Sequence, residues 1–197
     1  MTMFVLTIDQ VHSRRGSDRV PELLAALSDV DVVIPFERTL GDEVQGVPTT
    51  AAEAVRATLI AMRLGGWHIG IGAGDVVEPL PDSVREATGT AFFNARDAIK
   101  ASGRFQVSLA VRGPNATAAA EIQAAFHLLG IVWAARTESQ WQAVDLLESG
   151  MTGVQAAAAL GISPQALSRR RIGAALNETR AMSEALGTMM ERLERPE

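Results

Sequence analysis

The sequence predicts an α+β protein, a ferredoxin-like sandwich followed by a small all-α unit, on three observations. Short apolar runs alternate with helical periodicities in the order βαββαβαβ over the first 113 residues. Gly113-Pro114-Asn115 then breaks the pattern. Beyond it every periodic stretch is helical, so the expected division is a sheet domain at 1–113, a connector helix at 114–137 and a helical domain at 138–197.

Each element has its own signal. Phe4 to Ile8 is an apolar run that ends at Asp9, the polar stretch QVHSRRGSD reads as a loop, and Val20 to Leu27 has helical spacing. Val30 to Phe36 is β-branched, Leu40-Gly41-Asp42 has turn chemistry and Val44 to Val47 resumes an extended pattern, which makes a hairpin with Asp42 at its tip. Thr50 to Leu64 is an alanine-rich helix stopped by Gly65-Gly66. In the strand Trp67 to Gly74, Gly70, Gly72 and Gly74 alternate with apolar residues, so one face lacks side chains and admits a close backbone or ligand. After a loop at Glu78 to Thr88 come a helix at Ala91 to Ala101 and a strand at Gln106 to Val111, with the helices expected on one face of a largely antiparallel sheet.

The connector at Thr117 to Ala135 carries Ile122, Phe126, Leu129 and Trp133. Glu138 to Ser149 has an apolar face of Trp141, Val144, Leu146 and Leu147 and stops at Gly150. Thr152 caps a short helix with Val154, Ala157, Ala158 and Leu160 inward, and Gly161 suits its left-handed end. Ser163 caps the next helix and Pro164 fits its first position. Leu167, Ile172 and Leu176 are expected inward with Ala166 and Ala174, leaving Gln165, Ser168, Arg169 and Arg171 to reach a DNA groove as in a helix-turn-helix. Arg170 completes a run of three arginines, of which one or two would sit on phosphates. The same residues also fit a helical hairpin in a larger bundle, with Arg169 to Arg171 as a solvated end. Ala174 to Leu193 continues as a helix whose stripe of Leu176, Met182, Leu186, Met189, Met190 and Leu193 marks either a dimer seam or a surface packed on the connector.

Composition limits the function classes. With 47% hydrophobic residues there is material for a core, yet no run is expected to reach the roughly 20 apolar residues of a membrane span. The start MTMFVLTIDQ lacks a basic lead and reads as a buried strand, not a signal peptide. The absence of cysteine excludes disulfides and thiolate metal sites and fits a cytoplasmic protein. A net charge of −5 argues against general polyanion binding, so DNA contact requires a local basic patch. His12, His68 and His127 lack the short spacings of a zinc site.

LTIDQVHSRRGSDRV, FERTLGDEVQGV, GGWHIGIGAG, GTAFFNARDAI and QWQAVDLL followed by the helix-turn-helix resemble the bacterial SatD-like family of regulators across nearly the whole chain. The N-terminal domain also resembles a minimal class III nucleotide cyclase domain, related to the diguanylate cyclase fold. That resemblance implies metal-binding aspartates at Asp9 and Asp42, with Mg²⁺ shared with nucleotide phosphates. It further implies a phosphate loop at Ser13, Arg14, Arg15 and Gly16, and a transition-state arginine at Arg96. The paired asparagine position holds Phe92, and Asn94 points about 200° away round the helix. The expected function is therefore a dimeric DNA-binding transcriptional regulator with a degenerate cyclase-like domain for ligand sensing or dimerisation, binding double-stranded DNA and a nucleotide and no membrane. The rival expectation is a metal-dependent nucleotidyl cyclase, or related nucleotide-processing enzyme, with a DNA-binding tail.

Overall fold

The computed structural model describes residues 2–11 and 16–194. The elements run β1 (Thr2–Gln10), α1 (Val20–Ala26), β2 (Val32–Arg38), β3 (Glu43–Pro48), α2 (Ala51–Leu64), β4 (Trp67–Asp75), α3 (Thr90–Ser102) and β5 (Leu109–Arg112). Then follow α4 (Ala116–Ala134), α5 (Glu138–Glu148), α6 (Gly153–Ala159), α7 (Pro164–Gly173) and α8 (Leu176–Glu191), with a closing 3₁₀ turn at Arg192–Glu194. The protein is α+β, with a mixed five-stranded sheet and eight α-helices among the described residues.

The sheet order is β2-β3-β1-β4-β5, antiparallel except for the parallel pair β4 and β5. Register places Thr7 opposite Gln45 and Gly70, and Asp9 opposite Glu43 and His68, so Val5, Thr7 and Asp9 share a face with Gly72, Gly70 and His68. Helix α3 lies on that face. A β-carbon at Gly72 would fall on Ala95 N and Ala91 O, and one at Gly70 would sit 2.5 Å from Ile99 N. Leu6, Ile8, Ile69 and Ile71 point the other way and are buried too. Both faces are therefore covered, and α2, which touches β1, β3 and β4, belongs to the second. This corrects the expectation of helices on one face.

The chain divides into two compact units, residues 1–127 with 184–197, and residues 128–183. The predicted boundary at 113 is thus too early. In the first unit Ile122 and Phe126 of α4 are fully buried, and Gln123 and His127, one helical turn apart, bond the outer edge of β5. Val111 N–H donates to Gln123 Oε1 at 3.2 Å, and the His127 ring nitrogen lies 2.8 Å from the Leu109 carbonyl oxygen. Helix α4 is the one described helix long and apolar enough to cross a membrane by length and composition, but a third of that window is buried in the protein. Leu186, Met190 and Leu193 are also fully buried in this unit. Met182 and Met189 of the α8 stripe are half-buried.

In the second unit α5, α6 and α7 pack on one another around Ala143, Ala156, Ala157 and Leu167. Each start is fixed by a side chain: Thr137 and Thr152 form capping boxes with Gln140 and Gln155, and Ser163 accepts from Ala166 N–H with Pro164 at the first position. Gly161, at φ +63°, ends α6 and lets Ile162 N–H reach the Ala157 carbonyl at 3.0 Å. The expected continuous helix from Ala174 is broken, because Ala175 takes φ +49° between α7 and α8. Val154 and Ile172, expected inward, are 73% and 70% exposed, and Ala158 is exposed as well; Ala156 fills the interior of α6 beside Ala157, while Ala174 is buried as expected.

Replacement of Gly72 by alanine should force α3 off β4 and lower stability by about 1–3 kcal/mol, the usual cost of overpacking. Urea unfolding that leaves the midpoint unchanged would contradict this packing.

Candidate functional site

Because α3 lies so close to β4, the side chains on its flank project over β1 and β3. Phe92, Arg96 and Ile99, at spacings of four and three, form one wall of a cavity of about 570 Å³. Asp9, Glu43 and Gln45 line it from β1 and β3, Thr39 and Leu40 from the hairpin, and Val84, Arg85 and Ala87 from the segment before α3. Hydrogen bonds fix much of this lining. Gln45 is buried and donates to Thr7 Oγ1 at 2.9 Å, and Thr39 Oγ1 donates to Glu43 Oε1 at 2.6 Å. Ser83 donates to Glu37, and Arg85 to the Arg38 carbonyl, which ties the loop to β2. Arg96 makes no hydrogen bond or ion pair with any described residue.

Asp9 is the most perturbed acid here. Burial, followed by the charges of Asp42 and Glu43 and a hydrogen-bond contact with Asp42, pushes it from 3.8 up to about 6, against a smaller opposing effect of the Gln10 backbone. Asp42 stands in the hairpin turn, where Thr39 N–H donates to the Glu43 carbonyl and Gly41 takes φ +61°. Two carboxyls in contact, one held above its ordinary value, form a pair that a divalent cation would relieve. Among the described residues no group of three or more His, Cys, Asp or Glu side chains is assembled for a metal. Mg²⁺ takes one or two carboxylates and fills its octahedron with waters and phosphate oxygens, so Asp9 and Asp42 are the residues that could hold such an ion.

The sequence expectations meet this cavity in part. Asp9 and Arg96 both line it, and Asp42 contacts Asp9. Gly16 is exposed and does not line it; Ser13, Arg14 and Arg15 lie outside the described residues. Phe92, expected at the asparagine position of a cyclase, is buried, and Asn94 donates to the Ala73 carbonyl at 2.8 Å. Glu43 and Gln45 were not foreseen. Their alternation with Val44 and Gly46 in a strand is the signal that marks them. Arg85 carries no such signal, because a loop has no period.

In the second unit Gln165, Arg169 and Arg171 are exposed along α7 and Ser168 is half-exposed. Arg170 turns towards α5, its Nη1 3.5 Å from the Ser139 carbonyl oxygen, so it stands apart from the other two arginines. The unit carries five arginines against four carboxylates, so the acid excess of the chain lies elsewhere. Comparison with protein-family profiles, with curated proteins and with solved structures finds no match for the chain.

Because the folded value of Asp9 exceeds the unfolded one, the folded chain holds the proton more tightly, and ionising Asp9 costs stability as pH rises from 3.8 through about 6. In buffer without divalent cations, Asp9→Asn should gain stability over the wild type across that window and keep a constant advantage above it. A stability difference independent of pH would show an ordinary carboxylate.

Proposed function

We propose that the chain is a DNA-binding transcriptional regulator. The observation that carries this reading is α7, a short capped helix whose outward face presents Gln165, Ser168 and Arg169, with Arg171 to one side, above a filled interior. Such a helix-turn-helix would set α7 in the major groove, with its side chains on base edges and Arg171 on phosphate. A dimer belongs to the reading, because two reading helices about 34 Å apart match the two halves of a palindrome. Absence of cysteine and the SatD-like segments favour a cytoplasmic place.

The sheet unit would then serve as the sensor. The strand order β2-β3-β1-β4 is that expected of a ferredoxin-like core, and Asp9 and Arg96 line one cavity with Asp42 beside Asp9, which supports a reading in which these residues take the metal and triphosphate roles of a class III cyclase. Asp9 and Asp42 would hold Mg²⁺, which would supply charge neutralisation to nucleotide phosphates, and Arg96 would reach the phosphates directly. The same convergence supports the second reading, a nucleotidyl cyclase or related enzyme with a DNA-binding tail. Phe92 weighs against turnover, since it offers no hydrogen bond to a developing charge.

Duplex binding and nucleotide binding test what the two readings share, and turnover separates them. Arg169→Ala with Arg171→Ala should weaken duplex binding and reduce the slope of log K against log salt by about 0.9 per lost phosphate contact; an unchanged slope and affinity would remove the DNA reading. A nucleotide with Mg²⁺ at about 100 times its Kd should stabilise the chain by roughly 2.7 kcal/mol, and Asp9→Asn or Asp42→Asn should abolish that gain. Metal-dependent consumption of a nucleoside triphosphate, lost in the same variants, would establish the enzyme instead.

A further inference from the structure

We infer that Ile172 reads DNA, by packing its side chain against the 5-methyl group of a thymine in the major groove. The inference rests on the DNA reading of α7 and adds a base contact to it. Leu167 is buried and Arg170 turns towards α5, and these two residues mark the inner side of the helix. At about 100° per residue, Ile172 falls within roughly 20° of Gln165, seven positions earlier, and nearly opposite Arg170. Ser168 and Arg169 flank that line on either side. Ile172 is thus an apolar side chain, 70% exposed, at the C-terminal end of a face otherwise made of hydrogen-bonding groups.

A lone exposed isoleucine is ordinary on a protein surface; its placement here is what selects a role. The interior of the unit does not need it, because Leu167, Ala174 and Leu176 already fill the positions behind it. Of the groups that base pairs display in the major groove, the thymine methyl is the apolar one, and the rest are donors and acceptors. The four residues on this face then divide the work: Gln165, Ser168 and Arg169 take polar edges and Ile172 takes the methyl. Arg171, about 100° round the helix from Ile172, is placed for the backbone.

The test uses the full chain and duplexes selected by it from a random-sequence library. Each thymine of a selected duplex is replaced in turn by uracil, which pairs identically and lacks only the methyl. Wild type should lose about fourfold in affinity at one position per bound helix, the fold-change of one buried methyl group. Ile172→Ser should bind about that much more weakly and be indifferent to the replacement, whereas Ile172→Val should retain the thymine preference. Melting curves of the variants should match wild type, since the side chain is exposed. Retention of duplexes with uracil tolerated everywhere, or an equal uracil penalty in Ile172→Ser, overturns the assignment while leaving the DNA reading intact. A change of oligomeric state in Ile172→Ser without any effect on thymine preference would assign the residue to a protein contact and also overturn it. Failure to enrich any duplex removes the DNA reading and this contact together.

Discussion

The approach of α3 to β4 is the constraint on which the sheet unit depends. A helix normally stands off a sheet by the length of two side chains, but here Gly70 and Gly72 remove one layer and backbone meets backbone. The glycines weaken the strand's own preference for extended structure by something under 1 kcal/mol each. In exchange the helix is seated low, and its flank comes within reach of side chains on β1 and β3. Arg96 and Phe92 line the same cavity as Asp9 for that reason, although 87 residues separate Arg96 from Asp9 in the chain.

That geometry explains which parts of the protein were legible in the sequence. Element order was legible throughout, because alternating apolar runs, capping residues such as Thr50, Thr152 and Ser163, and glycine stops are local signals. The glycine alternation in β4 foretold a close neighbour but not its identity, which is set by α3 returning over the sheet. The convergence of Asp9, Asp42 and Arg96 came from family resemblance, whereas the participation of Glu43, Gln45 and Arg85 depends on register and on a loop pinned to β2. Inward and outward positions failed at Val154 and Ile172 for one reason. Helices of seven and ten residues have too few turns for periodicity to decide, and small alanines such as Ala156 fill an interior that larger residues were expected to occupy.

The helical unit is small, and its interior is built largely from alanine and leucine, so polar anchoring matters in proportion. Arg136 is buried, donates to the Ala174 carbonyl at 2.8 Å and to Thr179 Oγ1 at 2.7 Å, and lies 4.5 Å over the Trp141 ring. One guanidinium thereby joins the end of α7, the start of α8 and the face of α5, with bonds stronger than those between neutral groups. Trp133 meets Trp141 edge to face beside it. The direction in which α7 presents its outward face is therefore held from behind by charge-assisted bonds, independent of whatever the outward face touches.

Helix α4 has a consequence for anyone dividing this protein. Its Gln123 and His127 occupy the outer hydrogen-bonding groups of β5 while Ile122 and Phe126 are sealed in the core. A fragment cut at the Gly113-Pro114 break, the natural place to cut by composition, would leave a raw strand margin beside an uncovered greasy patch, the combination from which chains recruit one another into aggregates. A soluble sheet fragment has to keep the first three turns of α4, and the fully buried Leu186, Met190 and Leu193 mean that a clean excision also has to keep the chain's far end.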